Sequence, residues 1–209
     1  DWDWSEFVAK NNNELVATWG NLVNRVLTFT YKNWDGHIPS AGALRLGDLA
    51  LLQAVEAGFH SVGKELEAVH LRAALQEAMR LAAEVNKYLD AAAPWFEIKT
   101  DRQAAGQSLY TALKAIDSLK ILLAPFLPFT CEKLNTYLGY DAPLFGEPYT
   151  EQVMDSLGEH TVLRYRPAEH GAAWKPSELE PGSQLRQPGP LFKKLEEKVA
   201  EQERARLGK

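Results

Sequence analysis

Cysteine is nearly missing from this chain: Cys131 is the only one in 209 residues. A lone thiol excludes a disulfide framework and a cysteine-based metal site. The five histidines (His37, His60, His70, His160 and His170) are dispersed, and none sits at an HExxH spacing, so no metal is expected. Long apolar runs are also missing. None reaches the roughly 18–20 residues that cross a bilayer, and no membrane partner is expected. The start, Asp1-Trp2-Asp3-Trp4, lacks an initiator Met and the basic and apolar regions of a signal peptide; it reads as the cut edge of a longer, cytoplasmic polypeptide. There is no excess of positive charge either. A net charge of −5 excludes a generic nucleic-acid binder, on DNA or RNA, that works by phosphate neutralisation alone. It leaves room for a protein that reads a few exposed bases by stacking and hydrogen bonding. Finally, there is no nucleophile elbow, no glycine-rich phosphate loop and no pair of carboxylates in an apolar setting. Glu84, Asp90 and Glu97 read as solvated helix-surface acids, and no catalytic residue is assigned.

What is present is helical periodicity. Asp3-Trp4-Ser5-Glu6 has the form of a capping box and starts a helix at about Trp4. Leu15, Trp19, Leu22, Val26 and Phe29 then recur in steps of four and three, and the pattern ends at the Asp35-Gly36 turn. A second helix spans about Leu46 to Val69, and a third runs from near His70 to Pro94-Trp95. Thr100-Asp101-Arg102-Gln103 reads as the capping box of a fourth, which Pro125 stops. A short helix follows from about Pro128 to Tyr137. Long helices with short connections imply an all-α antiparallel bundle, over residues 1–139. Residues 140–188 form a Pro/Gly-rich extension with a weak helical pattern from Glu151 to Leu157 and a short extended piece at Thr161–Tyr165. Residues 189–209 close the chain with a charged helix, from Leu191 to Arg206, suited to docking through Leu191, Phe192, Leu195 and Val199.

Two features could carry recognition. On a helical wheel with Leu22 at zero, Asn21, Arg25, Thr28 and Lys32 fall between about −60° and −120°, one polar ridge beside the buried stripe, whereas Asn24 falls near 200°, roughly away from it. An amide and a guanidinium fork one turn apart can meet the edge of a base and its phosphate or ribose; a ridge bonded to water or neighbouring acids is the alternative. The second feature is Trp95. Pro94 lacks an N–H and disfavours helix at Ala93, so the helix ends just before an indole. That indole either packs against a neighbouring helix or stacks on an unpaired base.

Asn13-Glu14-Leu15, Gly20-Asn21-Leu22-Val23-Asn24-Arg25, Phe29, Trp34-Asp35-Gly36, Asn86-x-Tyr88 and Pro94-Trp95 resemble the methionyl-tRNA synthetase family, specifically the C-terminal anticodon-binding domain of its bacterial type. The Ala-Pro-Phe-Leu-Pro-Phe hinge is a looser signature shared with the class I synthetases for Val, Ile, Leu and Cys. The resemblance implies that Asn21 and Arg25 contact the first anticodon base, a cytosine, that Trp95 stacks on it over a platform shaped by Pro94, and that Lys32 adds a backbone contact. Glu97, less typical of the family, sets a negative charge beside that platform that would weaken its pull on RNA. The resemblance implies as partners methionine tRNA, through its CAU anticodon loop, and a catalytic domain of the same polypeptide. The class I nucleotide-binding signatures (HIGH-like and KMSKS-like) are absent, so ATP with Mg²⁺ is expected for the full-length enzyme and no cofactor for this piece. A sibling synthetase's anticodon domain, or a helical protein-interaction bundle without RNA binding, are the rival readings.

Overall fold

A computed structural model of the chain describes residues 2–169, 171 and 173–207. Asp1 and His170, named above, lie outside the described residues, as do Ala172, Gly208 and Lys209. The molecule is mostly helical, with one two-stranded sheet. Among the described residues, no helix is long and apolar enough to cross a membrane.

The first rod has three parts: α1 (Trp4–Lys10), a π-helical segment (Asn11–Gly20) and α2 (Asn21–Asn33). Asp3 caps it, its carboxylate accepting from the Ser5 and Glu6 amides at 2.7 and 2.9 Å. Glu6 turns to Lys10 (2.8 Å) rather than back to the cap. The π segment is wider than an α-helix because its bonds span five residues, as where the Asn21 amide reaches the Val16 carbonyl. Asn86 donates to the Thr18 carbonyl at 3.1 Å and so ties this segment to the third long helix.

The core is built by α3 (Leu46–Glu67), α4 (Leu71–Ala92) and α6 (Arg102–Leu123), which pack on one another. α6 is the central element. It is buried from Ala105 to Leu113 and again from Ala115 to Lys120, as expected of a helix covered on every side. Leu109, Leu113, Ile116, Leu119 and Leu123 are fully buried, each contributing roughly 1.5–3 kcal/mol. Asp101 rather than Thr100 caps α6, accepting from the Ala104 amide at 2.9 Å. Thr100 instead bonds the Glu97 carbonyl. Between α4 and α6 sits α5 (Pro94–Glu97), a single turn, and α7 (Pro128–Tyr137) completes the bundle.

The later residues differ from expectation in two places. Glu151–Leu157 is not helical. It belongs to a hairpin of β1 (Glu147–Asp155) and β2 (Gly158–Arg166), paired from Glu147↔Arg166 to Asp155↔Gly158. Val153, Met154 and Leu157 mimic a helical spacing, but so short an apolar pattern does not separate helix from strand. Gly158, at φ +88°, and the Asp155 carboxylate accepting from the Leu157 amide make the turn. The extended piece at Thr161–Tyr165 lies within β2. Second, the closing helix begins later than its sequence pattern suggests: α8 spans Lys198–Leu207, and residues 191–196 run as irregular chain. They are held on the first rod by its side chains. Asn12 bonds both the amide and the carbonyl of Leu195 (2.9 and 2.8 Å), and Phe192 fills the space that a Cβ on Gly20 would need, 2.9 Å away.

The extension is tied to the bundle by buried polar groups. Lys120 lies between Asp117 and Asn135, both at 2.7 Å. Tyr140 and Ser177 both donate to Asp117, and Glu132 accepts the Leu144 and Phe145 amides. Leu144, Leu179 and Leu185 join the hydrophobic core.

α3 ends in a Schellman motif: His70 N–H bonds the Glu65 carbonyl and Val69 N–H the Leu66 carbonyl. The left-handed position, normally glycine, is Val69 at φ +59°. A β-branched residue there carries about 1–2 kcal/mol of strain, and Val69 is 75% exposed, so its side chain contributes little packing. Val69→Gly should therefore stabilise the protein by roughly 0.5–1 kcal/mol after the added freedom of the unfolded chain is counted. Urea unfolding checks this; an unchanged or lower midpoint contradicts it.

Candidate nucleic-acid interface

The end of α4 builds a platform from three consecutive residues. Ala93 turns left-handed, at φ +42°, and its amide closes α4 on the Leu89 carbonyl. Pro94 is buried at the first position of α5, where a missing N–H costs nothing. Trp95 follows, half-buried and packed against the core. The platform faces α2. The Arg25 guanidinium lies over the indole, 4.3 Å from the ring centroid, and Phe29 meets the indole edge-on at 5.9 Å. Arg25 also pairs with Asp90 at 3.7 Å. Both partners are exposed, so this pair is worth little by itself.

Between the two elements lies an open cleft of ≈ 830 Å³. Asn21, Arg25, Lys32 and Trp95 all line it, while Pro94 sits behind the platform. The polar ridge and the tryptophan therefore share one surface. Asn24 lines it too, and the Thr28 hydroxyl donates to its side chain at 3.4 Å. On the wheel Asn24 stands only about 40° beyond Thr28, and the cleft is wider than the ridge. Phe29, assigned to the buried stripe, lines it as well, together with Ala17, Asn86 and Phe96. The sequence signals for these were slight: Asn86 stands in an Asn-x-Tyr pattern, and Phe96 simply follows Trp95.

Beneath the platform is a buried polar network. Asp48, 1% exposed, accepts from the Arg45 backbone (2.8 Å), the Arg45 guanidinium (3.1 Å), the Tyr88 hydroxyl (2.6 Å) and the Gln107 amide (2.7 Å). Burial alone would raise the Asp48 pKa. The hydrogen bonds from Arg45, Tyr88 and Gln107 outweigh it and hold the carboxyl below the usual range. Arg45 also donates to Ser108 at 2.6 Å and approaches Glu97 of α5 at 3.8 Å. Glu97 is thus turned inward to Arg45 and Ser108 rather than standing free beside Trp95. The charge expected to weaken the platform is directed toward Arg45. No short motif announces this network, because its members come from four separate elements.

Burial and the hydrogen bond to Asp48 push the Tyr88 phenol up to about 12. The folded state therefore holds that proton more tightly than the unfolded chain, whose phenol titrates near 10. The Tyr88 contribution to stability is full below about pH 10 and declines as pH rises toward 12. Tyr88→Phe should cost about 1–3 kcal/mol at neutral pH, since it leaves a buried acceptor short of a donor, and the gap to the parent should close through that window. A gap of constant size in urea unfolding across that range contradicts the assignment.

Comparison with known proteins bears on the family and the fold. Residues 38–164 match the family model described as the anticodon binding domain of methionyl tRNA ligase. The chain is similar to the methionine–tRNA ligase of Thermomicrobium roseum, 54% identical over 99% of this chain and 36% of that protein. It is similar also to that of Chloroflexus aurantiacus, 50% identical over 99% of this chain and 34% of the relative. The chain thus spans about a third of the length of the curated relatives it matches. The crystal structure of the apo form of Mycobacterium tuberculosis methionyl-tRNA synthetase superposes with a TM-score of 0.74 at 21% identity, over 93% of this chain and 35% of that one. At that identity the likeness establishes the fold.

Proposed function

The chain belongs to the family of methionyl tRNA ligase anticodon-binding domains, and from that premise we propose that its cleft between α2 and α5 holds the first base of the methionine anticodon. The observation that carries the reading is the meeting of Asn21, Arg25 and Lys32 with Trp95 around one cleft. An aromatic face alone would take any base. A face flanked by an amide and a guanidinium can also read a base edge. In the free protein Arg25 occupies the indole face. The incoming cytosine takes its place, and the displaced guanidinium, anchored one helical face away, donates to the acceptors on the base edge beside the Asn21 amide. Lys32 meets the RNA backbone. Pro94 contributes geometry and makes no contact.

In the whole enzyme this region acts as a specificity module. Binding energy gathered at the anticodon positions the acceptor end of methionine tRNA in a distant active site, where the ligase reaction runs with ATP and Mg²⁺ in the cytoplasm. The sequence of this chain has no glycine-rich phosphate loop, and the residues that hold those cofactors belong to the catalytic part of the whole enzyme. No step is assigned to them here. We divide the chain into the recognition bundle, residues 1–139, an extension, 140–188, and a closing segment, 189–209, of which Phe192 and Leu195 pack back on the first rod. The family match favours methionine over the sibling synthetases and over a bundle that binds protein alone.

Trp95→Ala should weaken binding of a CAU anticodon stem-loop by roughly 1–3 kcal/mol while the thermal midpoint stays within a few degrees of the parent. A melted domain with no specific loss of RNA binding would overturn the stacking role. Arg25→Ala should bring the affinities for stem-loops with cytosine and with uracil at the first position together; equal proportional losses for both would contradict direct readout.

A further inference from the structure

We propose that Phe96 is a second stacking platform in the same cleft, taking the unpaired base that neighbours the one on Trp95. This rests on reading the cleft as an anticodon site. Phe96 is 69% exposed. Unlike Trp95, it is not among the side chains packed against the core, so the fold makes no use of its ring. A single exposed phenylalanine is unremarkable in itself. Its placement is the informative feature: it lines the cleft that Trp95 and Arg25 form, directly continuous with the recognition surface.

Two further observations fit an RNA base as the occupant. Two lysines stand nearby in a chain whose net charge is −5: Lys32 lines the same cleft, and the Lys99 ammonium stands 6.0 Å from the Phe96 ring centroid. The nearest acid in sequence, Glu97, is drawn inward to Arg45 and Ser108 and does not repel a phosphate there. Geometry supplies the rest. Consecutive residues on a helical turn point about 100° apart, so Trp95 and Phe96 offer two aromatic surfaces at an angle. Successive bases splayed from a single-stranded loop present themselves in that way, and sequence-specific RNA recognition commonly stacks such bases on separate aromatic side chains.

The test uses this chain with anticodon stem-loops that are intact, abasic at the first anticodon position or abasic at the second, with binding read by fluorescence anisotropy at fixed salt. Phe96→Ala should weaken the intact loop roughly 5- to 150-fold, the span of base–aromatic stacking. The loss should persist with the first base removed and vanish with the second removed. Phe96→Leu keeps apolar bulk without a flat ring and should bind as poorly as Phe96→Ala, while Phe96→Tyr should bind like the parent. Wild-type affinity for Phe96→Ala or Phe96→Leu, or a Phe96→Ala loss that survives removal of the second base, overturns the proposal. Trp95→Ala run in parallel separates the two readings: if its loss depends on the first base while Phe96→Ala is indifferent, the anticodon site stands and only the second platform falls. If neither variant depends on any base, the anticodon reading itself fails.

Discussion

The carboxylate of Asp48 is the point on which the candidate recognition surface hangs. It is buried at the start of α3 and gathers donors from Arg45, from Tyr88 on α4 and from Gln107 on α6. A buried charge is costly unless such partners satisfy it, so the network forces these elements into one mutual arrangement. Arg45 and Ser108 then pass that arrangement on to Glu97, two residues beyond Trp95. A one-turn helix such as α5 has little stability of its own. Its position is set by the left-handed turn at Ala93, the buried ring of Pro94 and this inward tie at Glu97.

The opposite wall of the cleft is set by different means. The π segment before α2 changes the width and pitch of the first rod just before Asn21. Asn86, itself part of the cleft lining, satisfies a carbonyl of that segment. The closing chain residues lie across the same stretch through Asn12 and the Phe192–Gly20 contact. Phe192 and Leu195, which the sequence pattern marks for docking, thus support the segment from which α2 emerges. Where π-helical segments occur they often lie beside functional sites, and here the neighbouring turn of α2 carries Asn21 and Arg25.

Much of this was legible in the residues. The periodic stripes located α2, α3, α4 and α6, because long amphipathic patterns are the strongest local signal a chain carries. The wheel placed Asn21, Arg25 and Lys32 on one ridge, and the proline marked the break before Trp95. Other features were hidden for physical reasons. The hairpin was obscured because Val153 and Leu157, four residues apart, fit either period. The start of α8 was obscured because a Glu/Lys-rich run looks helical whether or not its first turn forms. Asn24 fell outside the ridge because a cleft is bounded by a second element, whose breadth a wheel for one helix does not contain. The Asp48 network and the inward turn of Glu97 depend on residues up to 63 positions apart, as in the Arg45–Ser108 bond, and no local pattern encodes them.

In the proposed binding mode an anticodon base exchanges places with the Arg25 guanidinium over the Trp95 ring. Fluorine NMR of the chain labelled with 5-fluorotryptophan tests it directly. The six tryptophans give separate resonances, and Trp95→Phe assigns the one that matters. On titration with a CAU stem-loop, the Trp95 resonance should move as the base ring replaces the cation, while that of fully buried Trp19 stays in place. A Trp95 resonance that holds still while the RNA demonstrably binds would contradict the account.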